Sequence, residues 1–157
     1  MKIIISAIGT NMPNWVKTAW QEYSKRISNQ YKIELKEIKS ESRKNGKSNS
    51  KIIAIETKRL ISSIPENGYF SLVLDEKGRD INTKELADFF NNCHLSGSNI
   101  AFIIGGPDGL DHSIRKTWDD TIKISSFTLP HYMVRIILIE QIYRALSILN
   151  NHPYHRE

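Results

Sequence analysis

Asn99-Ile100-Ala101-Phe102-Ile103-Ile104-Gly105-Gly106-Pro107-Asp108-Gly109 is the stretch that decides the fold. Residues 100–104 are apolar at every position, with none of the polar alternation of a strand that has one face in water. A strand of this kind is covered on both faces, as in a parallel sheet flanked by helices. The three glycines and the proline that follow break the run and mark a turn at the strand's carboxyl end. Upstream, residues 69–75 repeat the pattern with Phe70, Leu72, Val73 and Leu74, and residues 2–9 give a third apolar run ending in Gly9. Residues 32–38 alternate Ile33, Leu35 and, after a slip, Ile38, which suits a half-buried edge strand, and residues 121–124 give a brief fifth one.

Helical patterns separate these strands. Trp15, Ala19, Tyr23 and Ile27 recur every fourth residue, and Ile52, Ile55, Leu60 and Ile64 mark a second helix. Residues 83–95 form a third, residues 112–118 a short one, and residues 131–150 a helix apolar nearly all round, which must be buried on several faces. Strands alternating with helices predict an α/β fold: a single-domain open parallel sheet, residues 1–157, with helices on both faces.

At 157 residues the chain can bury a sizeable core. Cys93 is the only cysteine, which excludes an internal disulfide and fits a reduced, cytoplasmic setting. The apolar run at residues 2–8 is too short for a membrane span and lacks a signal-peptide cleavage pattern, so neither membrane nor export is expected. Five histidines (His94, His112, His131, His152 and His155) include no i,i+4 helical pair, so no metal site is expected. The net charge of +5 is concentrated: nine Lys/Arg face four Glu between Tyr31 and Arg59, which accounts for the whole excess. Such a segment suits contacts to phosphate and equally a solvated helix and loop.

Ligands of open α/β sheets bind beyond the carboxyl ends of the strands, and three segments have that place. Leu74-Asp75-Glu76-Lys77-Gly78 follows the third strand, residues 105–109 the fourth, and Ile124-Ser125-Ser126-Phe127-Thr128-Leu129-Pro130 the fifth. The glycine loop lets a ligand approach the backbone or simply makes a tight turn. It is neither a Walker loop nor a dinucleotide fingerprint, and Ser125 or Ser126 stands where a ribose-binding acid would be needed. Nicotinamide cofactors are therefore disfavoured. The third segment offers backbone groups and hydroxyls suited to an adenine, with Leu74 and Leu129 as apolar walls. It also reads as a plain connector.

Arg135, Glu140 and Arg144 lie inside the apolar last helix and each needs a partner or an interface. Glu140 and Arg144, and likewise His131 and Arg135, are spaced i,i+4. The tail Asn151-His152-Pro153-Tyr154-His155-Arg156-Glu157 is dense in chemistry where a terminus is usually disposable.

Together the motifs Ala7-Ile8-Gly9-Thr10-Asn11-Met12-Pro13-Asn14-Trp15, Leu74-Asp75, Ile104-Gly105-Gly106-Pro107-Asp108-Gly109-Leu110, Thr128-Leu129-Pro130-His131, Val134-Arg135, Glu140-Gln141-Ile142-Tyr143-Arg144-Ala145 and the tail are distinctive. With them the chain resembles the RlmH family, small single-domain members of the SPOUT methyltransferase class, over its whole length. Asp108 stands where that pattern has Glu, and residues 39–51 follow none of it. The resemblance implies an S-adenosylmethionine-dependent enzyme that methylates N3 of a pseudouridine in 23S large-subunit ribosomal RNA. It further implies a homodimer and an alpha/beta knot, with a C-terminal trefoil knot enclosing the cofactor. By matching position the cofactor residues are Leu74, Gly105, Gly106, Ile124, Ser125, Ser126, Phe127, Thr128 and Leu129.

The acceptor is an imide N–H and must lose its proton to become a nucleophile. A positioned base contributes on the order of 10²–10⁴ in rate, and the candidates are His131 and His155. Arg135 and Arg156 are candidates to hold phosphate or the imide anion, and Tyr154 to stack on an extruded base. Two rivals remain from the residues alone: a non-catalytic dimeric RNA-binding module of ribosome assembly, and a nucleotide-binding oxidoreductase.

Overall fold

The computed structural model describes residues 1–43 and 46–155. Lys44 of the basic segment, and Arg156 and Glu157 of the tail, lie outside the described residues. In chain order the elements are β1 (Lys2–Ile8), α1 (Asn14–Arg26), β2 (Lys32–Ile38), α2 (Asn49–Ser62), β3 (Tyr69–Asp80), α3 (Thr83–Leu95) and β4 (Asn99–Ile104). A 3-10 turn (His112–Thr117), β5 (Asp120–Lys123) and α4 (His131–Leu149) complete the chain. The strands form one sheet in the order β2-β1-β4-β3-β5, with every neighbouring pair parallel. The β2 edge expected from its alternation is found.

Residue parity explains why both faces are covered. Ile3, Ile5 and Ala7 of β1 and Ile100, Phe102 and Ile104 of β4 meet Trp20 of α1, Leu86 and Phe90 of α3, and Leu138 and Ile142 of α4. The alternate positions Ile8, Val73 and Ile103 meet Leu60 of α2 and Trp118 after the 3-10 turn. Burying each such side chain stabilises the fold by about 1.5–3 kcal/mol. On the second face Ser6 bonds the Ser63 hydroxyl at 2.8 Å, so the one buried polar residue in β1 is satisfied. Asn82 and Glu85 cap α3 reciprocally, at 2.9 and 2.8 Å.

Two elements differ from their sequence pattern. In α1 the packed row is Val16 and Trp20, and Trp15 is 57% exposed. One residue rotates a helix by about 100°, and two tryptophans on offset rows leave the periodicity unable to say which packs. Strand β3 continues past Asp75 to Asp80: Ile122 of β5 pairs first with Leu74 and again with Arg79, so residues 75–78 arch out between two registers. A Cβ on Gly78 would lie 2.7 Å from the Ile122 Cα and carbonyl oxygen, so the return passes only at glycine. The first expected strand-end loop is thus an arch within a strand.

Residues 124–130 carry the chain from the β5 edge to His131, whose ring bonds the Ile8 carbonyl at the end of β1. Three strand spacings amount to about 14 Å, within the roughly 23 Å that seven extended residues reach. From there α4 is packed between α1 and α3. No helix among the described residues is long and apolar enough to cross a membrane.

Candidate active site

The arch of β3 and the carboxyl ends of β4 and β5 open onto a cleft of about 540 Å³, within the roughly 300–1,000 Å³ usual for small-ligand sites. Its walls bring together Leu74, Gly105, Gly106, Ile124, Ser125, Phe127, Thr128 and Leu129, with His131 and Val134 from the start of α4. Ser126 is not on the wall, and Phe127 stands 83% exposed at the rim. The side chain of Ser125 is tied inward, accepting from the Phe127 backbone N–H at 2.9 Å.

Glycines 105 and 106 have a reason other than the ligand approach read from the sequence. A Cβ on Gly105 would lie 2.8 Å from Leu110 Cγ and 3.0 Å from the Gly109 carbonyl oxygen. One on Gly106 would lie 2.6 Å from Glu56 Oε2. The vacant space is therefore filled by the protein itself, and the loop's shape follows from packing beneath it. Glu56 was missed by the sequence reading although a signal was present: with Ile52 and Leu60 it forms one i,i+4,i+8 row, which puts an acid on the buried face of α2.

At the root of α4, His131 and Arg135 share one face as their spacing predicts. The His131 Nε2–H donates to the Ile8 carbonyl, so the free lone pair of this imidazole is on Nδ1. Burial, and then the charge of Arg135, push its pKa below the usual histidine value, so the ring is neutral at pH 7. Arg135 is fully buried. Its Nη1 pairs with Glu37 of β2 at 2.8 Å and its Nη2 donates to the Ile8 and Gly9 carbonyls at 2.7 Å. It ties α4 to the ends of β1 and β2 and is not on the cleft wall.

The tail folds back on the other end of the same helix. Asn151 takes a positive φ of 53°, and the His152 N–H closes onto the Ser147 carbonyl at 2.9 Å, a turn that caps α4. The Tyr154 hydroxyl then donates to Glu140 at 3.2 Å. Its ring lies 4.5 Å from that of Tyr143 and under the Arg144 guanidinium at 4.8 Å. Burial first, then Glu140, push the Tyr154 phenol up to about 12. His155 is half-buried, and its Nδ1 has no partner. Glu140 and Arg144, spaced as a pair, are one, at 2.5 Å.

The family model described as "Predicted SPOUT methyltransferase" matches residues 1–155. The chain belongs to the SPOUT methyltransferase family. It is 45% identical over 156 residues, 99% of each chain, to the "Ribosomal RNA large subunit methyltransferase H" of Bordetella pertussis. The protein of that name from Bordetella petrii is 47% identical over the same span, and that from Chromobacterium violaceum 47% over 157 residues and the whole of both chains. The chain is a methyltransferase, and the oxidoreductase reading falls.

The donor set of the cleft suits the methyl donor of this family. Apolar walls from Leu74, Ile104, Leu110, Ile124 and Leu129 fit an adenine, and the acidic Asp75, Glu76 and Asp108 on the wall suit a cation. Two of these acids are oriented by neighbours: Asp75 faces His112 at 3.3 Å, and Asp108 holds Arg43 at 2.6 Å. The basic segment is accordingly less free than its charge count suggests. Arg43 is spent on Asp108, and Lys47 and Arg59 both on Glu41 at 2.6 Å. Among the described residues no group of His, Cys, Asp and Glu comes together as a metal site requires.

Proposed function

We propose that this chain methylates N3 of a pseudouridine in large-subunit ribosomal RNA with S-adenosylmethionine, as a cytoplasmic homodimer whose C-terminal segment forms a trefoil knot. One observation carries the reading: the cleft beside the β3 arch and the ends of β4 and β5 is lined by eight of the nine residues, all but Ser126, that the resemblance implies for the methyl donor. The relatives named for large-subunit ribosomal RNA support the substrate. The crossing of residues 124–130 from the β5 edge to β1 supports the knot.

When bound, the donor supplies a methyl group already activated on sulfur, so the protein's work is alignment and proton removal. Leu74, Ile124, Ser125, Phe127, Thr128 and Leu129 would hold the adenosine end, and the loop at Gly105 and Gly106 sets the floor. The acceptor N3 would give its proton to an imidazole, His155 or the Nδ1 of His131, which frees its lone pair for the methyl carbon. Tyr154 stacks on the base, and Arg156 steadies the imide anion. Arg135 acts by bracing His131.

The spacing along α4 supports a site shared by two subunits. Tyr154 is docked on residues 140–144, nine to thirteen positions from His131, which is about 14–20 Å along the helix. A tail so placed does not serve its own subunit's cleft and would serve a partner's. Titration calorimetry with S-adenosylmethionine, followed by mass spectrometry of large-subunit rRNA treated with the protein, tests the reading. Donor binding with one added methyl on a pseudouridine is expected; RNA binding without donor binding would leave a non-catalytic RNA-binding module.

A further inference from the structure

Glu56 occupies the middle of α2 and is 1% exposed. Its Oε1 accepts from the Glu41 backbone N–H at 2.8 Å. Its Oε2 is buried with no donor in reach. That oxygen stands 2.6 Å from the point a Gly106 Cβ would occupy, immediately behind the loop that forms the cleft floor. The neighbouring acids are satisfied: Asp108 by Arg43, and Glu41 by Lys47 and Arg59. No ion pair reaches Glu56 among the described residues. Burying a carboxylate oxygen with no protein donor in reach is costly, and a glutamine of the same shape would carry no charge there. A buried group left without a partner calls for an explanation, and a functional role is one.

What the cleft must distinguish is charge. The donor is a sulfonium cation. Methyl transfer breaks its S–CH₃ bond, returns the electron pair to sulfur and leaves a neutral thioether of nearly the same shape. Apolar walls and backbone hydrogen bonds do not separate the two, and of the acids on the wall Asp108 is paired with Arg43, Asp75 faces His112 and Glu76 is exposed to water. A fixed negative charge behind a side-chain-less residue does, because little solvent lies between it and the ligand. The field of Glu56 is already felt at Arg43, whose basicity is raised chiefly by its bond to Asp108 and further by Glu56.

We propose that Glu56 is a specificity-determining residue of this cleft: acting across Gly106, its carboxylate favours the cationic methyl donor over the neutral thioether product. Resting on the methyl-donor reading above, it gives Gly106 a second purpose, admitting that charge to the floor.

The test is calorimetry on the full chain with S-adenosylmethionine and, separately, with its demethylated thioether. Glu56→Gln should weaken donor binding about tenfold, the attraction of one charge over roughly 10 Å at an effective dielectric of about 20. Thioether affinity should stay within about twofold, and Tm should hold or rise. Glu56→Asp should keep the wild-type donor-to-thioether ratio. Equal losses for both ligands would make Glu56 a structural brace, and an unchanged ratio would remove it from selectivity; either overturns the proposal. If Glu56→Gln does not fold, the pair Glu56→Asp and Glu56→Asn, equal in volume and different in charge, decides on the same ratio. Wild-type protein that binds neither ligand would instead overturn the methyl-donor reading, and this one with it.

Discussion

The two ends of α4 carry the same kinds of group and use them oppositely. At the root, Arg135 is fully buried and His131 half-buried, and the two bond backbone carbonyls and Glu37, so they hold the ends of β1 and β2 in place. At the far end Glu140 and Arg144 are only part-buried and hold Tyr154, a side chain from outside the helix. The Arg135 charge is fully enclosed, so truncating it removes from the helix root the donor that holds Glu37 and the β1 end. The charges at the far end are near water and can exchange partners at little cost. The root is therefore architecture, and the tail end is a dock that can release what it holds.

The largest effect expected from this contrast is catalytic and falls at the tail. Deleting Tyr154–Glu157 should lower methyl transfer to rRNA by on the order of 10²–10⁴, the share of a positioned base. Tm and donor affinity should stay nearly unchanged. A truncated protein that methylates at the wild-type rate would remove the tail from the mechanism. Mixing it with a full-length chain carrying a damaged cleft sharpens the point: recovered activity would require a tail from one subunit in the other's site.

Next comes the root, where the effect is on folding. Arg135→Met removes the guanidinium from its pocket and takes the donor from Glu37 and the Gly9 carbonyl, while the Ile8 carbonyl keeps His131, so a loss of about 2–4 kcal/mol is expected in urea denaturation. By contrast Arg144→Met, on the same helix, should cost about 1 kcal/mol or less. Equal losses at the two positions would erase the distinction between the ends.

Much of this is legible in the sequence because it depends on local pattern. The run at residues 100–104 determines burial on both faces, and the i,i+4 pairs follow from helix geometry alone. Other features depend on what lies across space. Trp15 and Trp20 are equally apolar, and only the sheet beneath α1 decides that Trp20 packs. The arch at residues 75–78 exists because β5 pairs twice with β3, which no pattern within β3 announces. Gly106 in its loop suggests room for a ligand, when the space belongs to Glu56 of another helix. The docking of Tyr154 depends on Asn151 taking a positive φ, a conformation Asn tolerates but does not dictate.

The pH dependence separates the ends again, with opposite signs. The folded pKa of His131 is lowered, so below about 6.5 the unfolded chain binds the extra proton first. Its contribution to stability is whole above that pH and is lost as pH falls. His131→Gln should flatten the fall of Tm between about pH 7 and 5. Tyr154 is raised from 10.0 to about 12, so its contribution is whole below pH 10 and is lost as pH climbs toward 12. Absorbance titration of the tyrosinates should show a group near that value, and Glu140→Gln should move it down. A Tm that does not respond at His131 would mean its burial is relieved in solution.

The smallest effect expected is at the basic segment, where the root's logic of enclosed pairs meets the tail's of exposed ones. Arg43 and Lys47 already neutralise Asp108 and Glu41, so their charge is partly spent before RNA arrives. Lys51 and Lys58 are exposed along α2. Reversing the exposed pair to Glu should reduce the slope of log affinity against log salt by about one for each phosphate no longer neutralised. Reversing Lys47 should change it less, because Glu41 keeps Arg59 as a partner. Equal slopes in all three proteins would mean that the RNA bypasses this face, and that the excess charge of the chain serves solubility alone.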